Sequence, residues 1–165
     1  CVSEGLPTKI SSLTHKRIFE VCKNYPDTGF KSFKLDTSNI KPWDATFDTV
    51  EDMVEQSIDS IKPKRSDYDV LYEILLKYGL DLTYQISEHD INGIKVFNVA
   101  FGSLLVCLAD DITNETIVGI GELKKELDSE SSRVVIKDTS YKDSCDKLNA
   151  IETLKQYGIT DVKCI

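Results

Sequence analysis

Asn92-Gly-Ile-Lys-Val-Phe-Asn-Val-Ala-Phe-Gly-Ser-Leu-Leu-Val-Cys-Leu-Ala-Asp-Asp-Ile-Thr113 decides the fold, because its pattern passes from alternating to continuously apolar and then to helical. Asn92-Gly93 is a strong two-residue hairpin signal. It predicts strands at Thr83 to Ile86 and Ile94 to Val99, flanking a loop over Glu88 to Gly93. Leu104 to Leu108 is a continuous apolar run, as expected of a strand covered on both faces. Thr113 then caps a helix reaching about Leu127, with Ile117, Ile120, Leu123 and Leu127 on one side.

Downstream the alternation continues. Val134 to Lys137 reads as a second buried strand, Ser144 to Tyr157 as a helix and Asp161 to Ile165 as a last strand. Strand, helix, strand, helix, strand implies two right-handed crossovers and a three-stranded parallel sheet, extended by the earlier hairpin. Residues 66–165 are therefore expected to form a three-layer-type α/β module.

Upstream, Leu13, Ile18, Val21 and Cys22 recur at helical spacing between Ile10 and Tyr25, until Pro26-Asp-Thr-Gly29 ends the pattern. Phe30 to Leu35 reads as a short strand with Lys31 and Lys34 facing solvent. Phe47, Val50, Met53, Val54, Ile58 and Ile61 predict an amphipathic helix from about Thr46 to Ile61. Lys62-Pro-Lys-Arg65 breaks it. Ser66-x-x-Asp69 then caps a helix carrying Val70, Leu71, Ile74, Leu75 and Tyr78, which Gly79 closes. Residues 1–65 thus read as a connecting segment of helix, short strand and helix, and the whole chain as α/β, α+β overall.

Apolar content of 41% and charged content of 29% suit one globular core in 165 residues. The net charge of −8 is uneven: residues 1–65 hold ten basic and ten acidic side chains, residues 66–165 ten and eighteen. DNA affinity needs clustered cations, so the acidic module is a poor duplex surface. The better candidates for phosphate-backbone contacts are Lys31, Lys34, Lys41, Lys62, Lys64 and Arg65, and Trp43 is a candidate interface anchor. With no initiator Met, signal segment or long apolar run, the chain is expected to be part of a longer cytoplasmic protein. Five cysteines without a Cys-x-x-Cys pair point to reduced thiols that pack as small hydrophobes.

Several blocks in this order resemble the carboxy-terminal region of the modification (Mod) subunit of type III restriction-modification systems. They are Gly29-Phe-Lys-Ser-Phe-Lys-Leu-Asp-Thr-Ser-Asn-Ile-Lys-Pro-Trp-Asp44, Arg65 to Leu82, Ile91-Asn-Gly-Ile-Lys-Val-Phe97, Leu104 to Ile112, Val134-Val-Ile-Lys-Asp-Thr-Ser140 and Asp146-Lys-Leu-Asn-Ala150. The resemblance implies a complete subunit that methylates adenine N6 from S-adenosylmethionine, flips its target base, dimerises and recruits a restriction subunit. DNA would be engaged through the complete enzyme, with no membrane involved.

The family's chemistry resides in an Asp-Pro-Pro-Tyr loop and a Phe-x-Gly-x-Gly turn, and neither occurs here. No two of Pro7, Pro26, Pro42 and Pro63 are adjacent, and Gly119-Ile-Gly121 follows no Phe. No catalytic, cofactor or metal residue is therefore assigned, and Gly119 and Gly121 are expected at a close helix–strand contact. Expected alone to be inactive, the chain is read as an assembly module for dimerisation or docking of the restriction subunit, with auxiliary DNA-backbone binding as the alternative.

A less favoured alternative is a receiver-like magnesium site at Asp110, Asp111 and Asp138, at the carboxy ends of the parallel strands with Thr139, Ser140 and Lys163. Asp110 and Asp111 more simply favour the following helix's amino terminus. His15, expected in a helix's first turn, and His89, expected in the hairpin loop, read as solvated surface residues.

Overall fold

The computed structural model describes residues 5, 7, 9–41 and 60–165. The chain divides into two compact units, residues 1–36 and residues 37–165. The expected connecting segment, 1–65, is thus shared between them. Residues 37–41 and 60–65 fall in the same unit as the α/β module.

In the first unit, α1 spans Ile10–Cys22, as the helical spacing of its apolar residues requires. It buries none of them: Ile10 is 85% exposed and Phe19 52%. The expected strand at Phe30 to Leu35 is irregular chain instead. A strand is stable only beside a neighbouring strand, and no described residue of 1–36 is in one.

In the second unit, Ile40 forms an isolated antiparallel bridge with Ile61. The amphipathic helix expected from Thr46 lies outside the described residues except at its end, where Ile61 is bridged rather than helical. Trp43 also lies outside them.

Helix α2, Asp67–Lys77, carries the expected capping box. The Ser66 side chain accepts from the Asp69 amide, and the Asp69 carboxylate accepts from the Ser66 amide at 2.9 Å. Gly79 follows with φ +67°, the left-handed conformation that ends helices.

The sheet has five strands in sequence order: β1 Ile86–Ile91, β2 Ile94–Val99, β3 Leu104–Cys107, β4 Arg133–Ile136 and β5 Asp161–Cys164. β1 pairs with β2 and β2 with β3 antiparallel, while β3, β4 and β5 are parallel. The hairpin departs from expectation in its first strand. Asn92 (φ +55°) and Gly93 (φ +80°) make the tight turn, so pairing closes directly at Ile91 and Ile94 and draws Glu88, His89 and Asp90 into β1. Thr83, expected in that strand, instead turns on Asp81, whose carboxylate accepts from its amide and hydroxyl at 2.8 Å.

Helix α3, Asn114–Glu126, links β3 to β4, and α4, Ser144–Gln156, links β4 to β5. Two crossovers stepping the same way with the same hand place both helices on one face. The core agrees. Ile117, Ile120, Leu123, Ala150 and Leu154 pack with Leu105, Cys107, Val134 and Ile136, whereas α2 buries Val70, Leu71, Ile74 and Leu75 against Phe97, Val99, Leu104, Val106 and Val135 on the other face. The result is a helix–sheet–helices sandwich, α/β as expected. Leu71 and Leu75 are fully buried, each contributing about 1.5–3 kcal/mol.

Among the described residues, no helix is long and apolar enough to cross a membrane.

Candidate functional site

The parallel strands deliver their carboxy ends to one edge of the sandwich, and polar side chains gather there. The Lys137 side chain, only 8% exposed, pairs its ammonium with Asp110 Oδ1 at 2.5 Å. Beyond it, Asp138 opens a 3₁₀ turn, Asp138–Ser140, and its Oδ1 accepts from Lys147 Nζ of α4 at 2.5 Å. Ser140 clamps the neighbouring loop: its hydroxyl donates to the Ala109 carbonyl, and its carbonyl accepts from the Ile112 amide at 3.2 Å.

These contacts bear directly on the acidic residues. Asp110 and Asp138 each hold a different ammonium group, and no group of three metal-ligating side chains forms among the described residues. Thr113, rather than either aspartate, caps α3 by accepting from the Thr116 amide at 3.3 Å. Asp110 is thus a charge partner for a buried lysine, and Lys163 lies elsewhere, 3.9 Å from Asp161.

Two cysteines flank the same edge. Cys107 pairs with Ile136 and Ile136 with Cys164, so the thiols occupy one cross-sheet row with a strand between them. That spacing, about 9.5 Å between backbones, is too great for a disulfide. Burial pushes the Cys107 thiol up. Burial also pushes the Cys164 thiol up, against the opposing pull of the Lys147 ammonium. Tyr141, partly buried, is raised as well by its burial, whereas the hydrogen bond to Asp138 raises Lys147. Neither thiol is activated as a nucleophile.

Tyr141 also borders an open groove of about 610 Å³ beside the amino-terminal end of α3 and along α4 as far as Gln156. Ile112, Ile117 and Ala150 give it an apolar lining, and Asn114, Asn149, Thr153 and Gln156 add carboxamides and a hydroxyl. Lys142, Asp146 and Glu152 supply charge. Sequence reading did not single out this groove, because its residues come from two helices and the loops after β3 and β4.

The residues that could have formed a glycine cradle for a cofactor are occupied by packing. A Cβ on Gly119 would lie 2.4 Å from Ile91 Cγ2, and one on Gly121 would lie 2.4 Å from the Tyr157 ring. Both glycines therefore allow α3 to approach its neighbours closely.

The candidate cations separate into two groups. Lys31 and Lys34 lie on exposed chain in the first unit. In the second, the Ile40–Ile61 bridge holds Lys41 and Lys62 on facing segments, with Lys41 N donating to Ser60 O and Lys62 N to Asn39 O at 2.8 Å. Lys64 follows in a left-handed turn at φ +65°, and Arg65 Nη2 donates to Thr37 Oγ1 at 3.1 Å.

Glu73 anchors this bridged corner to α2, a role not apparent in the sequence. Its carboxylate accepts from Ser38 Oγ and the Asn39 amide, each at 2.5 Å, and pairs with Lys77 at 2.9 Å. Burial pushes its carboxyl up, but these hydrogen bonds and the Lys77 charge outweigh burial and bring it down to about 2.

The imidazoles are separate. His15, in the second turn of α1, meets the Phe30 ring edge-on at 5.0 Å, while His89 lies on β1 rather than in a loop, 3.2 Å from Ser87 Oγ. No known family model and no curated protein sequence matches the chain.

Proposed function

We propose that the chain is a noncatalytic carboxy-terminal module of a type III Mod subunit, acting in the cytoplasm by supporting subunit dimerisation or docking of the restriction subunit. The observation carrying this reading is the order of the resembling blocks together with their placement. Arg65 to Leu82 contains the capped helix α2, Ile91 to Phe97 the hairpin turn, Leu104 to Ile112 strand β3, Val134 to Ser140 strand β4 and Asp146 to Ala150 part of α4. The blocks therefore follow the framework of the α/β unit rather than a reactive constellation.

Methyl transfer, S-adenosylmethionine and recognition of a DNA sequence belong, on this reading, to the rest of the complete subunit. The exposed apolar side chains of α1 and the acidic α/β unit favour protein contacts. Deleting residues 66–165 from the complete subunit is expected to abolish dimerisation or restriction-subunit binding, measured by solution mass and co-sedimentation. Retention of both would reject the proposal.

The bridged corner favours a second reading, auxiliary contact with a DNA backbone through Lys41, Lys62, Lys64 and Arg65, with Lys31 and Lys34 added from the first unit. Replacing these cations by Gln in the complete enzyme is then expected to weaken binding about equally on all sequences and flatten its salt dependence. An unchanged salt slope excludes this role.

A further inference from the structure

We propose that the tip of the β2–β3 hairpin is a docking anchor, its Phe101 entering an apolar pocket rimmed by cationic side chains on a partner protein. Ala100, Phe101 and Gly102 are left-handed in succession, at φ +52°, +56° and +91°. Glycine adopts that conformation freely, but it crowds the Cβ of any other residue, and a bulky aromatic there is an outlier. Phe101 gains no burial in return, being 76% exposed. One exposed aromatic is ordinary on a protein surface, whereas one held exposed at a backbone cost points to a use outside the fold.

The surrounding contacts fix the tip in that shape. The buried Asn98 carboxamide accepts from the Gly102 amide at 2.7 Å and donates to Ser87 Oγ at 3.1 Å. Ser103 Oγ donates to the Ala100 carbonyl at 2.9 Å, and the Ser103 carbonyl accepts from the Arg133 amide at 3.0 Å. A Cβ on Gly102 would lie 2.9 Å from Ser129 Cβ, so the tip also rests against the turn that follows α3. An aromatic presented by a preorganised loop loses little freedom on binding, which suits an anchor.

Charge selects the occupant. Asp128 and Glu130 flank Ser129, and both are exposed. The nearest cations along the chain are engaged elsewhere: Arg133 pairs with Asp161 and lies over the Tyr78 ring, and Lys125 lies over the Tyr157 ring. An acidic rim repels nucleic acid and anionic lipid. Two copies of the tip meeting across a two-fold axis would set like charges face to face, which disfavours a second copy. The complement is a different protein with a basic rim. On the reading proposed above, on which this step rests, that protein is the restriction subunit rather than the second Mod subunit.

Phe101→Gly in the complete subunit, titrated with purified restriction subunit by calorimetry, is expected to weaken binding about tenfold or more while the subunit's solution mass stays unchanged. Asp128→Asn combined with Glu130→Gln is expected to weaken it about two- to tenfold. In the 165-residue chain, Phe101→Gly should raise the thermal midpoint by about 1–3 °C, because strain is relieved and no packing is lost. Binding unchanged by Phe101→Gly, or by the paired charge substitutions, overturns the proposal. So does loss of the dimer, or a midpoint that fails to rise, which would give Phe101 a structural role. Deletion of residues 66–165 separates this failure from that of the wider reading. Binding lost on deletion but kept by Phe101→Gly removes the anchor alone, whereas binding kept on deletion removes the module's docking role and the anchor with it.

Discussion

Glu73 shows how one side chain can hold an irregular segment against a helix. Its carboxyl is lowered from an ordinary value near 4.5 to about 2. The contribution to folding is therefore complete above about pH 4.5 and is lost as the pH falls from there towards 2. The displacement bounds that contribution at about 3 kcal/mol, and solvent screening near the surface reduces it to about 1–2 kcal/mol. Glu73→Gln should cost about that much in denaturant unfolding at pH 7, with the difference from the unsubstituted protein shrinking by pH 3. A pH-independent difference would show that the charge is not responsible.

Gly121 makes the complementary case for shape. An added methyl would meet the Tyr157 ring, which also receives Lys125 at 4.5 Å from its centroid. Gly121→Ala should destabilise by about 1–3 kcal/mol. Combined with Tyr157→Ala it should cost clearly less than the sum of the single changes, as a double-mutant cycle would reveal. The close helix–strand contact expected of Gly119 and Gly121 was legible for Gly119, which meets Ile91 of β1, but not for Gly121, whose neighbour Tyr157 ends α4 instead. The role of Glu73 was not legible. Its partners Ser38 and Asn39 lie more than thirty residues earlier, beyond the reach of local spacing.

At the scale of elements, legibility followed how local the determining interactions are. Ser66 and Asp69 specify the start of α2 between themselves, and the cap was readable for that reason. Ser66→Ala removes the hydroxyl that accepts from the Asp69 amide. It should lower stability by about 1 kcal/mol and the thermal midpoint by about 3 °C in a calorimetric scan. A change below a few tenths of a kcal/mol would mean that Asp69 alone sustains the helix start. Asn92-Gly93 was equally local, but the length of β1 was not: it is set by pairing with β2, which extends Glu88, His89 and Asp90 into a strand despite their polar, loop-like character. Phe30 to Leu35 shows the converse. Its residues have strand-like composition, but no described residue of that unit forms a strand ladder with them.

At the scale of the molecule, the parallel order β3, β4, β5 was legible because each apolar run is separated from the next by one helix, which restricts the crossovers. The convergence of Lys137, Lys147, Tyr141 and Cys164 was hidden, since it depends on register between strands whose sequences are far apart. The distribution of burial yields a further expectation. Among the described residues, every core residue lies in the unit comprising residues 37–165, whereas α1 in residues 1–36 buries none. A short segment without buried apolar surface cannot offset the conformational entropy of ordering it. Residues 37–165 expressed alone should therefore retain a single cooperative thermal transition within a few degrees of the whole chain, with near-ultraviolet circular dichroism preserved. Loss of cooperativity on removing residues 1–36 would show that the first unit contributes to the core's stability, contrary to the burial pattern.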